Sequence, residues 1–150
     1  MKKFSEFKIG DTFFSICSIS DKELDEYLKF SRVRNAFLEN KQKGERQLIA
    51  GRAILSRMEG EFTRLSQIYG NHIIFVGTDG DSKWENRTTR FVNPLYTDQV
   101  LKLKFTVSHK EDIDDEFGKI VIDYEGTTQE GEIIVISKNN IYRIKKEPPR

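Results

Sequence analysis

Arg90 to Val107 reads RFVNPLYTDQVLKLKFTV, and its second half sets the architecture. Leu101, Leu103, Phe105 and Val107 alternate with polar residues, the period-two pattern of a strand with one buried and one wet face. The same alternation returns at Ile120, Ile122 and Tyr124. Working outward, segments 72–78 (HIIFVGT), 86–92 (NRTTRFV), 100–109, 119–128 and 132–144 all read as β. Upstream, GRAILSRMEGEFTRLSQIYG carries Ile54, Leu55, Met58, Phe62, Leu65 and Ile68/Tyr69 at helical spacing and predicts the longest helix, from about Gly51 to Tyr69. Gly60 in its middle costs about 1 kcal/mol relative to alanine, which suggests close packing there, and Gly70-Asn71 ends the helix.

Nearer the N-terminus, TFFSICSI (12–19) follows a Gly10-Asp11 turn and predicts a first strand. Ser20-Asp21-Lys22-Glu23 is a capping box, so a helix starts there, with Leu24, Tyr27 and Leu28 forming an apolar stripe that ends near Phe30. A long helix followed by a run of antiparallel strands implies an α+β domain whose sheet wraps the helix. No repeat, low-complexity tract or linker divides residues 1–150, so one domain is expected.

The bulk numbers exclude several classes. Lys+Arg 25 against Asp+Glu 24 leaves a net charge of +1, without the field of a nucleic-acid or membrane-surface binder. Charge is uneven locally. Ser31 to Arg57 holds seven bases and two acids, a stretch suited to a phosphate-bearing ligand, whereas His109 to Glu132 holds nine acids and two lysines and reads as solvated loops and edge strands. A single cysteine, Cys17, rules out an internal disulfide and a cysteine-rich zinc site. With no apolar run long enough to span a bilayer, a cytoplasmic protein is expected, and no metal is nominated.

The element order, with RFVNPLYTDQVLKLKFTV, resembles the hotdog fold in its MaoC-like branch, the hydroxyacyl-thioester dehydratases and (R)-enoyl-CoA hydratases. Gly10-Asp11 matches the Gly-Asp that opens the first strand in that family. Arg90-Phe91-Val92-Asn93-Pro94-Leu95-Tyr96-Thr97-Asp98-Gln99 matches the opening of its R-F-x-x-P-V-x-x-G-D segment but not the final Gly-Asp. The family's catalytic loop, D-x-N-P-x-H, falls on Val33-Arg34-Asn35-Ala36-Phe37-Leu38, where the asparagine alone survives. The resemblance implies that the Asp and His hold and deprotonate the water that adds to an enoyl thioester. Val33 and Leu38 exchange no protons, so the pattern stands without that chemistry.

The family's A-H-G falls on Ile49-Ala50-Gly51 and places Ser56 where relatives often have a serine; an alternative register puts Arg52 on the glycine. In relatives that glycine's N–H is thought to polarise the thioester carbonyl, which a helix N-terminus suits. Asn35, Gly51 and Ser56 are thus candidate substrate-binding residues. Arg32, Arg34 and Arg52 are candidates for the phosphates of coenzyme A, against a reading as solvated surface.

Glu59, one turn after Ser56, and His72 are the alternative catalytic groups, since some hotdog thioesterases use a helix carboxylate. The competing reading for this part of the helix is an exposed face on which Arg57, Glu61 and Arg64 pair with one another. His72 and His109 stand at strand ends and read as surface residues. GTDGDSKW (77–84) reads as a hairpin, and EDIDDEFG lacks calcium-loop spacing.

Two functions follow from the resemblance. One is a catalytically degenerate subunit that binds acyl-CoA-type thioesters and pairs, as homodimer or heterodimer, with another hotdog chain. The other is an active hydratase, dehydratase or thioesterase using non-standard residues. A regulatory acyl-CoA sensor ranks last. No cofactor is expected beyond a coenzyme A or pantetheine thioester as ligand or substrate.

Overall fold

The computed structural model describes residues 1–36, 46–78 and 88–147. Among these residues six strands, β1 (Thr12–Cys17), β2 (Ile73–Thr78), β3 (Thr89–Phe91), β4 (Leu101–Asp112), β5 (Phe117–Thr128) and β6 (Ile133–Lys145), form one antiparallel sheet. Their order is β1-β4-β5-β6-β2, with β3 also on β6. Among the described residues two α-helices, α1 (Asp21–Ser31) and α2 (Gly51–Arg64), and a short 3-10 turn at Phe4–Glu6 accompany them.

The alternation in β4 is realised: Leu101, Leu103, Phe105 and Val107 are buried, while Lys102 and Lys104 are exposed. Phe105 pairs with Phe13 on one side and Tyr124 on the other, so three strands place aromatic rings side by side beneath α2. Ala53, Ile54, Met58 and Phe62 form the buried stripe of α2. Phe62 lies at the centre, 5.4 Å from Phe105, 6.1 Å from Tyr124 and 4.9 Å from Tyr142 between ring centroids. Burial of a side chain of this size contributes about 1.5–3 kcal/mol. The curved α+β sheet around one main helix is therefore as the patterning implied.

The capping box of α1 is present, with Ser20 Oγ accepting from the Glu23 N–H and the Glu23 carboxylate from the Ser20 N–H, both at 3.1 Å. The helix ends at Arg32, which takes the left-handed conformation (φ 61°) and donates its N–H to Leu28 O. Its apolar stripe stops short of Phe30, which is 87% exposed.

Three expectations are corrected. First, α2 ends at Arg64 rather than near Tyr69. Leu65 leaves the helical region (ψ 141°), and a series of turns carries the chain to Asn71. The departure buries Ile68 completely and leaves Tyr69 on the surface. It also docks the turn on the N-terminus, where Lys2 donates its N–H to Gln67 O and accepts from the Asn71 amide. Second, Gly60 has nothing within 4 Å of the position a Cβ would take, so no close approach explains it. Third, the polar face of α2 pairs with other elements. Arg57 binds the Glu23 carboxylate and Ser18 O, and Glu61 accepts from Ser15 Oγ at 3.2 Å.

The acidic stretch is likewise more than solvated loop, because β5 runs down the middle of the sheet. Its charges pair in a group, Glu111 with Lys119, Asp112 with Lys146 and Glu116 with Lys145. EDIDDEFG closes the β4–β5 turn through Asp114, whose carboxylate accepts the N–H groups of Glu116 and Phe117. Most of the expected GTDGDSKW hairpin, with Asn86 and Arg87, lies outside the described residues.

Candidate functional site

β2 and β3 lie end to end along the same edge of β6. β2 pairs with Asn140 to Ile144, and β3 with Val135 to Ser137. Between them β6 bulges. Tyr124 pairs with Ser137 and Ile122 with Asn140, so Lys138 and Asn139 together oppose Asp123. Asn139 takes the left-handed conformation (φ 59°), and its N–H donates to the Asp123 carboxylate at 2.9 Å. Asn140 fastens the bulge from within by donating to Ile122 O and Ser137 O, each at 3.1 Å. Bulges are over-represented beside functional sites because they re-aim side chains, and here both Ser137 and Asn140 turn inward and are buried.

A cavity of about 530 Å³ opens between this bulge and α2. Arg52, Leu55, Ser56 and Glu59 line it from successive turns of one helix face, and Tyr27 closes it from α1. Phe75, Thr78, Thr89 and Phe91 come from the two edge strands; Tyr124, Ser137, Asn140 and Tyr142 form the floor. The Thr89 and Ser137 hydroxyls bond to each other at 2.9 Å, and the Tyr124 hydroxyl bonds to that of Tyr142. Burial is the main influence on both phenols and pushes their ionisation well above the ordinary range, with the Glu59 carboxylate acting in the same direction. Both remain neutral donors.

Of the residues expected from sequence, Arg52, Ser56 and Glu59 share this cavity. The Ser56 hydroxyl donates back to Arg52 O at 2.9 Å, which leaves its oxygen lone pairs facing outward. Gly51 is the first residue of α2, and neither its N–H nor that of Arg52 has a backbone acceptor among the described residues. Its Cα lies against the Phe91 ring, a wall of the cavity.

Arg32, Val33, Arg34 and Asn35 are exposed on the chain leaving α1 and are not among the residues that line the cavity, and Leu38 lies outside the described residues. His72 is exposed at the start of β2, where its carbonyl accepts from the Lys145 N–H at 2.9 Å; it is not on the cavity wall. His109 is exposed too, 3.5 Å from Glu111. Among the described residues no cluster of His, Cys, Asp or Glu is arranged to hold a metal ion, and no helix is long and apolar enough to cross a membrane.

Sequence reasoning missed the floor. Tyr124 was read as one more inward strand position and Tyr142 went unremarked. The signal was available in Ser137-Lys138-Asn139-Asn140, a polar run that follows the apolar stretch Ile133 to Ile136 inside one strand.

The segment RFVNPLYTDQ does turn the chain into β4, and it departs from the family pattern with a structural consequence. Asp98, where the family has glycine, accepts a two-pronged bond from Arg46 at 2.9–3.2 Å. The Arg46 guanidinium also stacks 4.1 Å from the Tyr96 ring.

No protein-family model and no curated protein sequence matches the chain. Solved structures do. A monoamine oxidase regulatory protein from Archaeoglobus superposes with a TM-score of 0.75 at 18% identity, covering 97% of this chain and 95% of the other. The unliganded (R)-hydratase of Pseudomonas aeruginosa gives 0.68 at 16% identity, covering 99% and 86%. A hypothetical thioesterase protein from Streptococcus pneumoniae, solved with coenzyme A, gives 0.56 at 11% identity, covering 97% and 86%. The chain is therefore a hotdog-fold protein, built on the plan that MaoC-like dehydratases, (R)-hydratases and thioesterases share.

Proposed function

We propose that the chain binds an acyl thioester of coenzyme A or of a pantetheine carrier in the cavity beside α2, and does not hydrate it. The observation that carries this reading is the make-up of the lining. Its size suits a small-molecule group, and aromatic walls stand beside convergent polar groups, yet no histidine lines it among the described residues. The aligned loop supplies Val33 and Asn35 on the surface, neither able to activate water. The thioesterase with bound coenzyme A, sharing this fold, supports the ligand class.

The chain then acts as an auxiliary, cytoplasmic subunit beside a second hotdog chain, identical or not. β2 supports such pairing: it is a sheet edge with Ile74 and Val76 exposed. In calorimetry the purified chain is expected to bind acyl-CoA while leaving the ultraviolet absorbance of a crotonyl or longer enoyl-CoA unchanged. Turnover that Asn35→Ala abolishes would sink the reading.

A second reading is favoured by one observation, the position of Glu59. It is the one carboxylate among the described lining residues, half-buried and without an ion-pair partner among them. An acyl-thioester hydrolase using Glu59 would release free thiol from acyl-CoA and lose that activity in Glu59→Gln. Thiol release unaffected by Glu59→Gln, or none at all, removes this alternative.

A further inference from the structure

The cavity beside α2 holds a carboxylate with nothing to neutralise it. Glu59 is half-buried in the wall, and no ion pair reaches it among the described residues. Its own helix offers none, since the neighbours one turn away on either side are Leu55, Ser56, Phe62 and Thr63. Arg52, the one base among the described lining residues, stands two turns earlier at the start of α2. The same space is walled by aromatic residues: Tyr27 from α1, Phe75 from β2, Phe91 from β3, and Tyr124 and Tyr142 from the floor. Burial, with the Glu59 charge as a smaller addition, holds both floor phenols un-ionised, so the carboxylate is felt at the floor. Each phenol oxygen has two lone pairs, and the bond between the hydroxyls uses one of the four. A lining of this kind suits an ammonium group, because aromatic rings attract a cation and a carboxylate neutralises it.

We propose that this end of the cavity binds an ammonium group carried by the acyl chain, with Glu59 as its counter-ion, so that the ligand is an aminoacyl thioester. The proposal rests on the thioester-binding reading and deepens it. The order of charges along the helix fits such a ligand. Arg52 suits the anionic carrier, while Glu59 follows Gly51 by a little over two turns, about 12 Å along the axis. With the thioester at the start of α2, a chain of several carbons separates it from the charged end. A saturated chain laid in the same place would strip water from Glu59 and leave the carboxylate without a partner, which weakens binding.

The test is titration calorimetry near neutral pH. It compares hexanoyl-CoA and octanoyl-CoA with ω-aminohexanoyl-CoA and ω-aminooctanoyl-CoA, and with the N-acetylated forms of the two amino compounds. At least one aminoacyl-CoA is expected to bind the natural protein about tenfold more tightly than the saturated thioester of equal length. Acetylation removes the charge and is expected to abolish that advantage. In Glu59→Gln, which keeps the side chain's size, the ratio of the two affinities is expected to fall to about one.

Equal or weaker binding of both aminoacyl thioesters by the natural protein overturns this proposal and leaves the thioester reading standing. So does an advantage that survives acetylation of the ligand or the Glu59→Gln change. Binding of no thioester of any kind overturns both.

Discussion

The ring of Phe91 lies against Gly51 so closely that a Cβ on the glycine would come within 2.8 Å of Phe91 Cζ. The first residue of α2 and the edge strand β3 are thus in direct contact at the wall of the cavity. Gly51→Ala is expected to make the ring swing away. Because Phe91 is 43% exposed, the movement costs little stability, and the melting temperature is expected to stay close to the original. Acyl-CoA affinity is expected to change several-fold. Unaltered affinity would show that Phe91 does not shape the ligand's path.

Gly60→Ala is expected to stabilise the protein by about 1 kcal/mol, since Gly60 is helical and a methyl group there meets open space. For a chain of this length that corresponds to a rise of about 2–4 °C in melting temperature. A fall on thermal denaturation would mean that the glycine has a role the packing does not reveal.

Phe62 touches the three rings that join α2 to the sheet. Phe62→Ala is expected to cost about 3–5 kcal/mol, a large part of the stability of an ordinary domain. Phe62→Leu keeps most of the volume and is expected to cost about 1.5 kcal/mol or less. Urea denaturation checks both, and similar losses in the two variants would show that ring contacts matter more than cavity volume.

Stability is expected to fall on acidification. Asp114 is held below the ordinary carboxylate range by the Phe117 and Glu116 N–H groups, and Asp98 by the Arg46 guanidinium. Glu23 is lowered by the Ser20 N–H and then Arg57, and Glu111 by Lys119. A lowered folded-state value means the contribution is present above the ordinary 3.8–4.5 and is lost as pH falls through the lowered values. The urea midpoint is therefore expected to be nearly flat from about pH 7 to 5 and to drop below about pH 4. Asp114→Asn keeps an acceptor but removes its titration, and should make that drop shallower. An unchanged midpoint at low pH would contradict the assignment.

Features decided within a few residues of sequence were legible. The capping box at Ser20 and Glu23 sets the start of α1, and period-two burial set β4 to within a few residues of the expected 100–109. Features decided by distant contacts were not. Ile68 fits a helical stripe, but its burial comes from a turn docked on Lys2 through Gln67 and Asn71, which the local pattern does not encode.

For the site, Arg52, Ser56 and Glu59 were found because a single helix face brings them together. Tyr124 and Tyr142 were passed over because an inward strand position looks the same in sequence whether it meets a packed core or an open space. Arg32 and Arg34 were chosen for charge, which does not say where a side chain lies.

The bulge in β6 has a consequence for how such a chain diverges. One extra residue is absorbed locally between Ser137 and Asn140, so Tyr142 and Ile144 keep their inward phase and the layer beneath α2 is insulated from what happens above it. Exposed Lys138 can therefore change in kind, while the left-handed backbone at Asn139 favours asparagine or glycine there. Descendants of this chain can acquire new ligand preferences at the bulge while inheriting the same core.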